Sequence, residues 1–321
     1  MPLPSDEKLV QLANDLIAQL DTLFGQHPGF RPAHAKGVLV TGRFQPSRAA
    51  ASLTRAPHLN RESTPVTVRF SDGTGIPAIP DNDPNANPHG MAIRFHLADR
   101  VHTDIIGHSA DGFPVRTGPE FLEFLRAVAA SATSKSSPSP VDVFLGSHPA
   151  ALAYVQMPKP SPASFGKEAY FGITAFRFTN KDGVTQHGRY RITPGAGVEH
   201  LDPAAVKGKD GNYLFDELRS RLAAGPVRFQ VQVQIAGERD VVDDATIHWP
   251  ADRPLIDFGT IELTAEAPNN QAEQQQTIFD PIPRVDGIEA SADPLLELRA
   301  AVYLLSGRRR RQAGEIAATG R

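Results

Sequence analysis

Residues 227 to 235 read Val227-Arg228-Phe229-Gln230-Val231-Gln232-Val233-Gln234-Ile235, an alternation of apolar and polar side chains with a strict period of two. Successive side chains of a β-strand point to opposite faces of a sheet, so this stretch predicts a strand with one buried face. Shorter β-type runs lie at 38–40, 66–70 and 91–95, and others follow at 170–179 and 188–193.

The predicted helices are set apart from these strands. Apolar residues recur at helical spacing from Leu9 to Leu23, with Ser5 as the expected N-cap and Gly25 at the end. Further helices are predicted at 119–130, 141–154 and 215–223, and a last one that starts at Asp293-Pro294. Strands that cluster, without a regular strand–helix alternation, indicate an α+β fold with an antiparallel sheet or barrel.

The composition excludes several kinds of protein. The 321 residues carry a net charge of -3, which is not the basic balance of a nucleic-acid binder. Neither an apolar run of about 18 residues nor the pattern of a secretion signal occurs, so we expect a cytoplasmic protein without a membrane partner. Because the chain has no cysteine, thiol chemistry, thiolate-ligated haem and disulfides are excluded. Any redox centre must be held by other side chains.

Two features near the C-terminus suggest chemistry. Arg299 and Tyr303 are four residues apart on the predicted last helix, so their side chains share one face. A helical tyrosine usually serves packing, but an arginine beside it favours the phenolate, which is a ligand for ferric iron. The four arginines at 308–311 are either a solvated terminus or the site of an anionic ligand.

Histidines give weaker signals. His34 lies between Arg31 and Lys36 at the start of the first strand, where an isolated histidine is more often structural than catalytic. His96, His102 and His108 are spaced six residues apart, which fits neither a helical metal site nor neighbours on one strand face. We therefore expect no shared metal site from these three.

Several colinear segments resemble the haem catalase family, and in particular its small catalase-related peroxidase branch, the minimal catalases. The matching segments are Arg31-Pro32-Ala33-His34-Ala35-Lys36-Gly37, Val68-Arg69-Phe70-Ser71, His89-Gly90-Met91-Ala92-Ile93-Arg94-Phe95, Phe279-Asp280-Pro281, Gly287-Ile288-Glu289-Ala290-Ser291-Ala292-Asp293 and Arg299-Ala300-Ala301-Val302-Tyr303. They follow the family's order over most of residues 31 to 312.

This resemblance implies an antiparallel β-barrel of the haem catalase type with flanking helices. It divides the chain into an N-terminal arm at 1–30, a haem-binding core at 31–312 and a tail at 313–321. Haem b, iron protoporphyrin IX, is the implied cofactor, and Tyr303 is its implied iron ligand, kept ionised by Arg299. His34 is the implied proton-transfer residue, and Ser71 its hydrogen-bonding neighbour.

The remaining implied site residues surround the cofactor. By family position, Arg31, Arg69 and Arg310 pair with the haem propionates, since guanidinium groups bind carboxylates well. Phe113 and Phe121 are expected along the distal channel.

One segment departs from the family. The distal asparagine belongs to a G-N-N-T-P segment, and the corresponding residues here are Gly107-His108-Ser109-Ala110-Asp111. Ser109 stands in the place of the amide and is the expected third catalytic residue, with His108 beside it. Neither side chain can both donate and accept in a fixed plane as an amide does.

Loss of the amide favours peroxidase chemistry. We expect a haem-dependent peroxidase that reduces hydrogen peroxide and organic hydroperoxides through an oxo-ferryl intermediate, uses a small organic electron donor, and has weak catalase activity. The alternatives are a true minimal catalase, an isomerase of fatty-acid hydroperoxides, and a non-catalytic barrel that binds haem or lipid. We expect the protein to form a homo-oligomer, a dimer.

Overall fold

A computed structural model describes residues 2–319 of the chain. In this part of the chain, ten strands form one antiparallel sheet. They are β1 (Gly37–Pro46), β2 (Thr64–Ser71), β3 (Gly90–Ala98), β4 (Val101–His108), β5 (Tyr170–Phe171), β6 (Phe176–Thr179), β7 (Thr185–Pro194), β8 (Val227–Ile235), β9 (Leu255–Glu266) and β10 (Ile288–Ala290).

The sheet closes into a barrel. Its strand order is β10-β6-β7-β5-β4-β3-β2-β1-β9-β8, and an additional pairing joins β7 to β8. Eight strands therefore form a closed antiparallel ring, with β6 and β10 attached at its side. The antiparallel β-barrel expected from the resemblance is confirmed.

The strand predicted at 227–235 is β8, with the same bounds. Its apolar residues are buried, and Arg228, between two of them, is exposed. The interior of the barrel is filled by aromatic side chains without solvent exposure, among them Phe44, Phe70, Phe95, Phe229 and Phe258. The core of the barrel is therefore packed by side chains and leaves the functional site to be sought on its outer face.

Helices lie outside the barrel. They are α1 (Glu7–Phe24), α2 (Ala50–Leu53), α3 (Gly118–Ser131), α4 (Pro140–Ser147), α5 (Pro149–Gln156), α6 (Pro203–Lys207), α7 (Tyr213–Ala224), α8 (Asn270–Gln276) and α9 (Leu295–Thr319). Short 3-10 turns occur at Pro57–Leu59, Pro84–Ala86 and Phe165–Lys167. None of the helices in residues 2–319 is long and apolar enough to span a membrane.

Two helical predictions need correction. Asp6, not Ser5, caps α1, because the Asp6 carboxylate accepts hydrogen bonds from the backbone N–H groups of Lys8 and Leu9. The helix predicted at 141–154 is two helices, since Pro149 cannot donate the hydrogen bond that would continue the first.

The first and last helices pack together. Apolar side chains of α1, α3 and α9 form one cluster, which includes Leu16, Leu122 and Leu298. An ion pair of 2.8 Å between Asp21 and Arg309 adds a polar contact between α1 and α9. The N-terminal helix thus lies against the helix that carries the predicted iron ligand.

Candidate functional site

A cavity lies between the outer face of β2, β3 and β4 and the helices α1, α3 and α9. Its volume is about 240 Å³, and its walls are largely apolar. Nine of the ten predicted site residues line it, and Ser109 does not. The nine are Arg31, His34, Arg69, Ser71, Phe113, Phe121, Arg299, Tyr303 and Arg310.

Strand alternation explains which side chains reach the cavity. Phe70 points into the barrel core, whereas its neighbours Arg69 and Ser71 on β2 line the cavity. The pairing register places the cavity-lining residues in two rows across the three strands. One row is Arg69, Ala92 and Ile106, and the other is Ser71, Gly90 and His108.

One face of α9 forms the proximal wall. Leu295, Leu298, Val302 and Ser306 recur at spacings of three and four, the pattern of one helix face. The cavity-lining residues Arg299 and Tyr303 belong to the same stripe, and the Arg299 guanidinium donates a hydrogen bond of 3.3 Å to the Tyr303 hydroxyl. The pair predicted from its spacing is therefore brought together at the cavity wall.

A cluster of three arginines marks one end of the cavity. Arg31 and Arg310 both donate to the carbonyl oxygen of Thr277, at 3.1 and 2.8 Å, and Arg69 donates to the carbonyl oxygen of Ala35 at 3.2 Å. The hydrogen-bond acceptors of these guanidinium groups in the described part of the chain are uncharged oxygens. Nε of Arg310 is buried without a partner.

The arginines repel one another in an environment that excludes water. Burial, followed by the charge of Arg310, lowers the pKa of Arg69 to about 9, and burial with the charge of Arg311 lowers that of Arg310 to about 10. The pKa of Arg31 is also lowered by burial and by the charges of Arg69 and Arg310. Arg69 and Arg310 are buried and Arg31 is partly buried, and a cluster of guanidinium groups hydrogen-bonded to uncharged oxygens is the arrangement expected for binding an anion with more than one negative charge.

His34 lines the cavity beside the strand β2. Its Nδ1 is 3.2 Å from Oγ of Ser71, the hydrogen bond expected from the resemblance. Its backbone has φ of 56°, an uncommon conformation for a residue with a side chain, and its N–H donates to the carbonyl of Gly73. Burial, followed by the charge of Arg69, lowers the pKa of His34 to about 4. The ring is therefore neutral at pH 7 and able to accept a proton.

Ser109 is not brought into the cavity. Its hydroxyl oxygen accepts a hydrogen bond of 3.0 Å from the backbone N–H of His89, outside the cavity lining. His108 lines the cavity instead, because it follows Ile106 by two residues on β4 and shares its face. The period of two that starts at Ile106 is the signal that sequence reasoning missed.

The other histidines of this region, His96 and His102, do not line the cavity. His96 and His102 are cross-strand neighbours on β3 and β4, and His96 contacts Thr67 at 2.9 Å. No cluster of three or more metal-ligating side chains occurs among the residues that the structure describes.

The remaining predicted residues, Phe113 and Phe121, pack with ring centroids 4.9 Å apart at the cavity wall.

The residues present fit a haem. The largely apolar walls suit a macrocycle, the partnerless Nε of Arg310 and the three cavity-lining arginines suit two propionates, and the Tyr303 hydroxyl suits an oxygen ligand for iron. His34 lines the same cavity as Tyr303.

Comparisons with known proteins agree with this fit. The sequence model of the family described as Catalase matches residues 26–315. A catalase-related peroxidase of Mycolicibacterium paratuberculosis is 36% identical over 285 residues, which are 88% of this chain and 89% of the relative. A catalase-related peroxidase of Synechococcus elongatus is 31% identical, over 91% of this chain and 87% of the relative.

Solved structures share the fold. A fungal catalase superimposes with a TM-score of 0.78 at 22% identity, over 92% of this chain. Catalase A from Saccharomyces cerevisiae superimposes with a TM-score of 0.77 at 23% identity, again over 92% of this chain. The chain spans 62% and 64% of the lengths of these two proteins. With the match of the family's sequence model over residues 26–315, the chain belongs to the catalase family.

Proposed function

We propose that the protein is a haem-dependent peroxidase that reduces hydrogen peroxide and organic hydroperoxides with electrons from a small organic donor, and that its catalase activity is weak. Family membership and the two catalase-related peroxidases among its relatives support an oxidoreductase that acts on peroxide. The observation that supports the proposal is that one cavity is lined both by the hydrogen-bonded pair His34 and Ser71 and by the hydrogen-bonded pair Arg299 and Tyr303.

Tyr303 would hold the iron through its phenolic oxygen, and Arg31, Arg69 and Arg310 would hold the propionates. Haem b bound in this way supplies a redox-active iron that takes up the oxidising equivalents of the peroxide O–O bond. The guanidinium of Arg299 would hold the phenolic oxygen in place through its hydrogen bond.

The distal residues manage the proton. His34, neutral because of its burial, accepts the proton of the hydroperoxide on its free ring nitrogen and returns it to the oxygen that leaves. Ser71 fixes the plane of the ring through Nδ1. The overall reaction takes two electrons and two protons: the hydroperoxide ROOH becomes the alcohol ROH and water, and the donor supplies the electrons.

The preference for a peroxidase over a catalase rests on the distal wall and on the apolar cavity. The side chain beside His34 is His108 in place of an amide. The mostly apolar walls formed by Phe113, Phe121, Leu16 and Leu20 suit the organic group of a hydroperoxide.

The experiment loads the purified chain with haem, records its absorption spectrum, and compares oxygen release from hydrogen peroxide with oxidation of a phenolic donor. We expect donor oxidation with both hydrogen peroxide and an organic hydroperoxide, and little oxygen. Abundant oxygen without donor oxidation would identify a true minimal catalase. A haem-loaded protein inactive in both assays would identify a binding barrel, and a product other than the alcohol an isomerase.

One control separates proton transfer from haem binding. The variant His34→Ala is expected to retain haem and to lose about 10²–10⁴-fold in the rate of hydroperoxide reduction, the usual contribution of general acid–base catalysis. An unchanged rate would exclude His34 as the proton-transfer residue. The homo-oligomer expected from the sequence stays a prediction, which sedimentation of the haem-loaded protein measures.

A further inference from the structure

Ser71, Gly90 and His108 lie opposite one another on three adjacent strands. Gly90 pairs with Ser71 on β2 and with His108 on β4, so all three positions face the same side of the sheet. Neighbouring strands are about 4.8 Å apart, which places Ser71 and His108 about 10 Å apart with the glycine between them. Because Gly90 has no side chain, the space over its Cα is taken up by the side chains of its neighbours.

His34 borders one side of that space. A Cβ atom at position 90 would lie 3.0 Å from Nδ1 of His34 and 2.6 Å from Oγ of Ser71. The imidazole of His108 reaches the cavity from the other end of the row. The charge of His34 acts on His108, so the two rings lie near each other at the wall of the same cavity.

The hydrogen bonds of His108 fix its tautomer. Nδ1 of His108 accepts a hydrogen bond of 3.2 Å from the backbone N–H of Ala110, so this nitrogen carries no proton. Burial, followed by the charge of His34, lowers the pKa of His108 to about 3, and the ring is neutral at pH 7. A neutral imidazole with an unprotonated Nδ1 carries its one N–H at Nε2.

We propose that His108 presents this Nε2–H as a fixed hydrogen-bond donor to the hydroperoxide bound between it and His34, in the role for which other catalases use an amide. The inference rests on the proposed function and deepens it, because it names a second substrate-binding residue. His34 moves the proton, whereas His108 donates a hydrogen bond and keeps its own proton.

A donor that cannot accept has a consequence for specificity. An amide side chain both donates and accepts, so it can also bind a second peroxide through that peroxide's own O–H group. His108 offers only the N–H, which binds the first hydroperoxide and gives no acceptor for a second one. An N–H group that only donates a hydrogen bond therefore favours reduction of the peroxide by an organic electron donor over release of oxygen.

The test compares three variants of the haem-loaded chain: His108→Phe, His108→Asn and the control His102→Phe. His102 lies on the same strand outside the cavity. The first readout is the equilibrium affinity of the ferric protein for fluoride, an anion that accepts hydrogen bonds but undergoes no reaction. We expect the affinity to fall about tenfold in His108→Phe, the loss of one hydrogen bond to a charged acceptor, and to stay within twofold in His102→Phe.

The second readout is the ratio of oxygen release to donor oxidation. His108→Asn restores an amide, and we expect this ratio to rise at least fivefold, while fluoride affinity stays within threefold of the parent. A ratio unchanged in His108→Asn, or a fluoride affinity unchanged in His108→Phe, would overturn the assignment of His108. If the variant loses affinity because it misfolds, its haem absorption band and circular dichroism also change, and His108→Asn alone then decides.

The failure of this inference differs from the failure of the proposed function. Suppose that the parent protein oxidises the electron donor and that the His108 variants equal it in fluoride affinity and in product ratio. The proposed function then stands, and the role of His108 is contradicted. If the parent protein takes up no haem or oxidises no electron donor, the proposed function is wrong. The role of His108 as a hydrogen-bond donor to the hydroperoxide is then wrong as well.

Discussion

The guanidinium of Arg299 donates a hydrogen bond of 3.3 Å to the phenolic oxygen of Tyr303, one turn further along α9. If this oxygen binds the iron, Tyr303→Phe removes the ligand without changing the packing of the ring. We expect retention of haem after gel filtration to fall at least tenfold, with an unchanged far-ultraviolet circular dichroism spectrum. Tyr154→Phe, which alters a tyrosine of α5, is the control. Full haem retention in Tyr303→Phe would contradict the proximal assignment.

The arginine cluster offers a test of anion binding. Arg310 is buried at the cavity, whereas Arg308 on the same helix is exposed. Arg310→Met removes a buried cation that lies near two others, so we expect haem affinity to fall about 10- to 100-fold, the loss of one charge-assisted hydrogen bond. Arg308→Met carries the same change in an exposed position.

Titration of each apoprotein with haem measures both affinities. We expect Arg308→Met to bind within twofold of the parent. Equal losses in the two variants would show that overall charge, not a built propionate site, controls binding.

The ring of His34 and the hydroxyl of Ser71 pack directly over Gly90. A methyl group there would lie 2.6 Å from Oγ of Ser71 and displace either the serine or the histidine. Since small misplacements of catalytic groups have large effects, we expect Gly90→Ala to reduce turnover roughly 10- to 100-fold while haem content stays constant. Gly146→Ala is the control, because no heavy atom lies within 4 Å of its added Cβ. Normal turnover in Gly90→Ala would argue against substrate binding between the two histidines.

Stability in acid reports the buried histidines. The pKa values of His34 and His108 are about 4 and about 3 in the folded chain, against 6.5 ordinarily. Between pH 6.5 and about 4 the unfolded chain therefore binds protons that the folded chain does not bind. The free energy of unfolding of the haem-free chain should fall as the pH falls, by up to about 1.4 kcal/mol per pH unit for each histidine.

Urea unfolding at several pH values measures this dependence. The difference between the parent and His108→Asn isolates one histidine from the carboxylates that also titrate. We expect the parent to lose more stability between pH 6.5 and 4 than the variant. A variant with the same pH dependence as the parent would place the His108 ring in water.

Local patterns predict the main strands and helices and the pairing of Arg299 with Tyr303, whereas the barrel and the other candidate site residues are implied by the resemblance to the catalase family. The period of two in β8 and the helical spacing of Arg299 and Tyr303 survive because each element buries the face that its pattern marks. The sequence does not show which face of a strand meets the cavity, so site residues on the strands are harder to predict. The position of Ser109 in its segment predicts a site residue there, but the residue that lines the cavity is His108, two residues after Ile106.

The polar segment before the last helix shows another limit. Residues 270–276 carry no apolar stripe, yet they form α8, whose amide side chains pair with the start of β1. Asn270 exchanges hydrogen bonds of 3.1 and 2.8 Å with the backbone of Leu39, and Gln274 donates to the carbonyl of Gly37 and accepts from Arg69. Tertiary hydrogen bonds of this kind leave no periodic signal in the sequence.

The cavity wall combines the first and the last helix of the described chain. Leu16 and Leu20 come from α1, and Tyr303 and Arg310 come from α9, almost 300 residues later. During synthesis on the ribosome, the barrel strands are complete before α9 emerges. We therefore expect the haem site to form only after α9 has been synthesised and has packed against α1, later than the barrel itself.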